Sequence, residues 1–192
     1  MELIDLLYQV LLSPTVAFRL VSQKKPLGWA IGAALLPSLV VTLVLLPNPP
    51  RLSEVIFGLE KGSLNAAPWW FLWLSVFLVT LVIEAGFVHV VALLFRGKGS
   101  YLGMLCGLCF ASFPLVLFAP LALLRALLAS PTSYLLYYVG SAILYPWILI
   151  LDTIAIRHNY QTSVKKAAAI CSVAIFVLFI LPMFIVAVAM AT

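Results

Sequence analysis

Five long apolar stretches alternate with short polar segments and dominate the pattern of this chain. Each is long enough to cross a hydrocarbon core of about 30 Å as an α-helix. The pattern predicts an all-α, polytopic membrane protein with five transmembrane helices, at about residues 27–46, 68–95, 102–128, 133–156 and 167–191. We therefore expect residues 27–191 to form one transmembrane domain.

The first 26 residues show a different pattern, in which apolar residues recur at helical spacing. One side of a helix collects Leu3, Leu6, Leu7, Val10 and Leu11. Ser13-Pro14 ends this helix and begins another, because Ser is a good N-cap and Pro suits the first helical position. We expect residues 1–26 to be an amphipathic segment that lies in the membrane interface or packs beneath the bundle, and both placements can hold together.

The polar segment between the first two predicted spans carries two further signals. It starts with prolines that cannot continue a helix, and apolar residues then return at helical spacing, so we expect a short interfacial helix there. These apolar residues are Leu52, Val55, Ile56 and Leu59. Tryptophans at the start of a span are typical of an anchor at headgroup level. The second predicted span starts with Trp69, Trp70 and Trp73.

Composition agrees with lipid as the solvent of this chain. Charged residues make up 9% of the 192 residues, and the mean hydropathy is +1.21. The net charge of +5 does not indicate a nucleic-acid partner, because the charges stand beside predicted spans. Lys and Arg in such positions set topology and meet anionic lipid. The partner predicted from composition is therefore the lipid bilayer.

The distribution of Lys and Arg predicts an orientation. With the N-terminus in the cytoplasm and five crossings, eight of the eleven basic residues lie on the cytoplasmic side: Arg19, Lys24, Lys25, Arg96, Lys98, Arg157, Lys165 and Lys166. The other side holds Arg51, Lys61 and Arg125. Because cytoplasmic loops are enriched in basic residues, this excess predicts an N-in, C-out topology.

Prolines interrupt four of the predicted spans near their middles. They are Pro37, Pro114 (followed by Pro120), Pro146 and Pro182. A proline removes one backbone donor and frees a carbonyl one turn earlier. Four such kinks could expose carbonyls near the membrane midplane, where transport sites often lie. The alternative is that the prolines only shape helices for packing.

Small residues predict close helix contacts in two places. Gly28 and Gly32, and also Gly103 and Gly107, are spaced as Gly-xxx-Gly. Such stripes let two helix backbones approach closely. We expect packing within the monomer, and a homo-oligomeric seam is the alternative.

Four polar residues inside the spans form the candidate intramembrane site. Glu84 lies about 18 Å along the helix from Arg96, and a carboxyl at that depth indicates function unless it is neutral or paired. The other three are His89, Ser112 and Asp152. They are predicted to line one polar track. The alternatives are that Glu84 is a neutral, hydrogen-bonded carboxyl and that Asp152 pairs with Arg157 at the membrane edge.

No motif in the sequence indicates catalysis, a metal or a cofactor. Cys106-Gly-Leu-Cys109 lacks the second ligand pair that a zinc site needs and falls inside a predicted span. We interpret these cysteines as apolar packing. The segment from Arg157 to Lys166 is predicted to be a polar loop in which His158 is solvated. The chain is therefore not expected to be an enzyme or to bind a cofactor.

Several short motifs resemble the Yip1 domain family. They are Arg96-Gly-Lys-Gly-Ser-Tyr101, Gly107-Leu-Cys-Phe-Ala-Ser-Phe-Pro114, Tyr145-Pro-Trp147, Thr162-Ser-Val-Lys-Lys-Ala167, and Ser13-Pro14 with Phe18. The resemblance implies a prokaryotic-type Yip1 membrane protein with five spans, in the plasma membrane. Phe110 departs from the family's Tyr, and the Asp-Leu-Tyr-Gly-Pro element and long cytosolic region of eukaryotic members are missing. Binding of Rab-type GTPases, which the resemblance implies only for those members, is therefore not carried over.

Two functions remain open from the sequence. The first is an adaptor or organiser that binds a membrane protein or lipid through its interfacial helices and small-residue stripes. The second is a small transporter or lipid-moving protein with a polar track around Glu84. The two differ in where the functional contacts lie, on the surface of the bundle or in its interior.

Overall fold

The computed structural model describes residues 3–45, 66–128, 130–184 and 187, and across these ranges it contains helices and no strands. The α-helices are α1 (Leu3–Leu12), α2 (Pro14–Lys24), α3 (Leu27–Leu45), α4 (Ala66–Leu94), α5 (Tyr101–Ala111), α6 (Phe118–Leu128), α7 (Pro131–Tyr160) and α8 (Val164–Ile175). A 3₁₀ segment, Phe113–Leu117, joins α5 to α6, and a π-helical segment, Phe176–Ile180, follows α8.

Four helical stretches are long and apolar enough to cross a membrane: Leu74–Leu94, Tyr101–Arg125, Pro131–Tyr160 and Val164–Phe184. They coincide with the second to fifth predicted spans. The first predicted span coincides with α3, of which the structure describes the side chains over the apolar stretch Leu27–Val40. The fifth crossing and the N-in, C-out orientation therefore stay predictions.

Four helices pack pairwise into a closed ring, in the order α4, α5, α7, α8 and back to α4. Helix α3 packs outside this ring, against α4, α5 and α6. The centre of the fold is α5, in which every residue from Cys106 to Ala111 is buried. Its small residues explain this position, because Gly, Ala and Cys side chains let neighbouring backbones approach.

The amphipathic N-terminal segment packs on one end of the ring. Helix α2 contacts α5 and α7, and α1 packs on α2. The buried side of this pair consists of Leu6, Leu7, Val10, Ala17, Phe18 and Val21. The other side of α1 is also apolar and remains exposed at Ile4, Tyr8 and Leu12. The packing beneath the bundle is therefore observed, and a position in the membrane interface stays a prediction.

The bundle has two ends, a loop end and a turn end. The loop end holds the connection between α4 and α5 (residues 95–100) and the last turn of α7. The turn end holds the α6–α7 turn, in which Ser130 caps α7 with a reciprocal pair of hydrogen bonds to Ser133. All eight basic residues that are predicted to be cytoplasmic lie at the loop end, whereas Arg125 lies in the last turn of α6.

The structure corrects the predicted loop from Arg157 to Lys166. Helix α7 continues to Tyr160, so Arg157, His158 and Asn159 are helical, and Gln161 ends the helix in a left-handed conformation. The polar side chains suggested a loop, but Asn159 and Tyr160 are buried against the α4–α5 connection. This tertiary contact supports one more helical turn than the sequence pattern predicted.

Two predictions lie outside the described residues. They are the interfacial helix at Leu52, Val55, Ile56 and Leu59, and the positions of the Trp69, Trp70 and Trp73 side chains, whose backbone belongs to α4.

Candidate functional site

Two carboxyl groups of the helix ring lie close enough for their charges to interact. Glu84 comes from α4 and Asp152 from α7, and the charge that acts on Asp152 is that of Glu84. Both carboxyls also act on the thiol of Cys171 on α8. Three helices of the ring therefore place titratable side chains in one region. The sequence analysis predicted that Glu84 and Asp152 share a track, and the thiol was not foreseen.

The electrostatics of this carboxyl pair determine whether both groups can be charged at the same time. Asp152 is 8% exposed, and two negative charges repel strongly in a low-dielectric interior. A proton on either carboxyl removes this repulsion. The alternative pairing of Asp152 with Arg157 is not what the structure shows, because the Arg157 side chain is exposed and Asp152 is buried.

His89 belongs to a second polar cluster, nearer the loop end. Its Nδ1 atom lies 2.9 Å from the Tyr160 hydroxyl. The Tyr101 ring meets the imidazole edge to face, with centroids 6.2 Å apart. The Tyr101 hydroxyl donates to the Val82 carbonyl at 3.3 Å. This cluster joins α4, α5 and α7 across the ring.

The α4–α5 connection docks directly on the last turn of α7. The Lys98 amide donates to the Tyr160 carbonyl at 3.3 Å, and the Asn159 side-chain amide donates to the Ser100 carbonyl at 2.9 Å. Ser100 in turn accepts from the Gly103 amide and caps α5. These bonds use backbone groups that the helix ends would otherwise leave unsatisfied.

Glycines make this docking possible. A Cβ atom at Gly97 would come within 3.0 Å of Tyr160, and one at Gly99 or Gly103 would collide with Tyr160 or Asn159. Sequence reasoning missed Asn159 and Tyr160 because both were assigned to a loop. The signal that could have found the contact is the spacing of these three glycines, which indicates that another part of the chain approaches the backbone closely.

The predicted glycine and serine positions fall in different surroundings. Gly107 faces Ala155 on α7, where a Cβ would come within 3.1 Å. Gly32 makes only an ordinary contact with Leu3, and Gly28 has open space around it. Ser112 is buried, but its hydroxyl donates to the Cys109 carbonyl at 2.9 Å, within the end of its own helix. Ser112 is therefore not shown in contact with the carboxyl pair.

The four prolines do not form one inward-facing ring. Pro37 and Pro114 are buried, whereas Pro146 and Pro182 are exposed. Pro114 lies at the start of the 3₁₀ segment, and the π-helical segment ends two residues before Pro182. In both places the altered helix accommodates the missing backbone donor. Pro37 and Pro146 lie inside continuous α-helices.

The described side chains of this interior offer few possible metal ligands close together. Within residues 3–45, 66–128 and 130–184, no three His, Cys, Asp or Glu side chains converge in an arrangement suited to a metal ion. The carboxyl pair can instead exchange a proton or contact a polar ligand.

The fold and its interior define a polytopic α-helical membrane protein with a paired carboxyl site and a packed polar loop end. The chain matches the Yip1 domain over residues 8–186, which is nearly its whole length. It therefore belongs to the Yip1 domain family, as its motifs predicted. No curated protein and no solved structure matches the chain.

Proposed function

We propose that this Yip1-family protein is a non-enzymatic membrane adaptor that binds another membrane protein through an exposed face in the middle of α7. We place it in a prokaryotic plasma membrane. The observation that carries the proposal is the group Tyr145, Pro146 and Trp147. All three are exposed halfway along α7, a helix of 30 residues.

Depth makes this exposure unusual. Tyr145 lies about 21 Å along the helix from Pro131, at 1.5 Å per residue, which is far from both ends of α7. Its side chain is 59% exposed and that of Trp147 is 40% exposed. A phenol hydroxyl and an indole N–H have no hydrogen-bond partner among acyl chains, so both are better placed against another protein.

Pro146 adds a backbone acceptor on the same side. Proline inside a helix leaves the carbonyl four residues earlier without its donor, and that carbonyl belongs to Ala142. Helical spacing puts Ala142, Ile143, Pro146, Leu149 and Ile150 on one face, and all five are exposed. We call these five residues the outer face of α7. A small residue beside a free carbonyl suits a close transmembrane helix that offers a hydroxyl or amide donor.

Site-specific photo-crosslinking in native membranes tests this proposal. A photoreactive side chain at Ile150 is expected to trap one partner of fixed mass. The same group at Val90 on α4 is the matched control, because the two positions are 57% and 58% exposed. Ala142→Leu should abolish the Ile150 product by covering the carbonyl. Equal trapping of lipid alone at both positions would refute the adaptor role.

A second candidate function rests on the interaction between Glu84 and Asp152. A proton-linked transporter or lipid-moving protein needs a titratable group inside the membrane, and this pair provides two. In proteoliposomes with an internal pH dye, Glu84→Gln and Asp152→Asn should each abolish proton movement. Ser112→Ala is the matched control, since Ser112 is buried but bonded within its own helix. Wild-type proteoliposomes that move no protons under any imposed gradient would exclude proton-linked transport.

A further inference from the structure

The loop end carries basic side chains from two packed helices that meet around one imidazole. Arg19 on α2 and Arg157 on α7 both lie close enough for their charges to act on His158. Both arginines are exposed, whereas the Nε2 atom of His158 is enclosed and has no hydrogen-bond partner among the described residues. Because α2 packs on α7, the two arginines stand on neighbouring helices and their charges reach the same imidazole.

Two positive charges on neighbouring packed helices favour an anion beside them. A guanidinium offers a planar fork of donors that matches a phosphate, and two such groups on fixed helices preorganise the contact. Lysines add to the positive potential at the same end, from Lys24 and Lys25 after α2 and from Lys165 and Lys166 in α8. The complementary partner is therefore negative.

The position of this pair selects the source of the anion. Arg157 lies three residues before the end of α7, at the depth where headgroups meet a span. The apolar side of α1, which packs on α2, is exposed at Ile4, Tyr8 and Leu12, which suits acyl chains. We propose that Arg19 and Arg157 form a binding site for the phosphate of an anionic phospholipid at the α2–α7 contact.

Native mass spectrometry of the full chain in detergent tests this site with two defined lipids. Short-chain phosphatidylglycerol is expected to be retained as one molecule per chain, in preference to phosphatidylcholine of the same length. Arg19→Gln and Arg157→Gln should each weaken phosphatidylglycerol binding about fivefold, which corresponds to about 1 kcal/mol for one basic residue near anionic lipid. Both side chains are exposed, so the variants should fold; their elution as single wild-type-sized species checks this.

Two comparisons separate a site from a diffuse positive field. Lys98→Gln removes the same charge at the loop end but leaves the Lys98 amide bond to Tyr160 intact, so its effect should be less than twofold. Arg19→Lys keeps the charge and loses the fork, so it should weaken binding by an intermediate amount. An equal loss in Arg19→Gln, Arg157→Gln and Lys98→Gln would overturn the site, and displacement of the lipid by equimolar inorganic phosphate would overturn a lipid occupant.

Discussion

The loop end and the turn end of this bundle differ in how their helices are covered. At the loop end, buried residues of α1, α2, α4, α5, α7 and α8 share one core. Towards the turn end, α7 is exposed at Leu135, Tyr138 and Ile143, and the chain after α8 is exposed at Phe179, Met183 and Phe184. The same helices are therefore packed against protein at one end and open at the other.

This difference separates two roles within the molecule, which are stability and contact with partners. The loop end is closed by glycines and by hydrogen bonds between backbone and side chains, which give it a defined structure. The open half presents apolar and aromatic residues to whatever surrounds it in the membrane. We infer that the loop end contributes most of the stability and that the outer face of α7 contacts the partner.

The largest contrast is expected between two neighbouring residues of α7. Leu151 is fully buried and Ile150 is 57% exposed. Leu151→Ala should lower the free energy of unfolding by about 2–4 kcal/mol, because it leaves a cavity in the shared core. Ile150→Ala should cost less than about 0.5 kcal/mol, since lipid can fill the space. Unfolding in mixed dodecyl sulfate micelles measures both, and equal costs would contradict the difference in packing between the two faces of α7.

A smaller contrast is expected between two glycines that the sequence treats alike. Gly103→Ala should destabilise the protein by about 1–3 kcal/mol, because the new methyl displaces the Asn159 side chain and breaks its bond to Ser100. Gly28→Ala meets open space and should stabilise α3 by up to about 1 kcal/mol. The same unfolding assay reports both signs. A destabilising Gly28→Ala would instead point to a close contact at Gly28 with another molecule.

The hydroxyl of Tyr160 provides a finer test of the loop end. Tyr160→Phe removes the hydrogen bond to His89 Nδ1 and should cost about 1 kcal/mol of unfolding free energy. Tyr138→Phe on the exposed part of α7 removes the same group and should have no measurable effect on stability. If the two variants behave alike, the His89–Tyr160 contact does not contribute to the closure of this end.

Much of this architecture follows from hydropathy, because the bilayer requires long apolar helices and leaves few alternatives. Depth along the helices was also enough to bring Glu84 and Asp152 into one predicted track. The partner of His89 was not predictable in this way. Tyr160 stands among polar residues that resemble a loop, and only docking of Gly97 and Gly99 on it extends α7 that far.

The sequence also could not predict which prolines face protein and which face outward. A proline's position along a span gives its depth, but its side of the helix matters only once neighbours are known. Pro37 and Pro114 face protein, whereas Pro146 faces outward. The carbonyls that the prolines were predicted to free therefore do not share one interior site. The carbonyl freed by Pro146 is an acceptor on the outer face of α7.

The smallest predicted effect concerns the contact that orders the turn end. The Arg125 guanidinium lies 4.8 Å from the centroid of the Tyr137 ring and 5.5 Å from that of Tyr134, so α6 and α7 are joined by cation–π contacts. A double-mutant cycle of Arg125→Gln and Tyr137→Leu should give a coupling energy of about 0.5 kcal/mol, as expected at an exposed site. Unfolding free energies of the four proteins provide the cycle. A coupling of several kcal/mol would mean that the turn end is held as tightly as the loop end. The exposed part of α7 would then begin only after Tyr137.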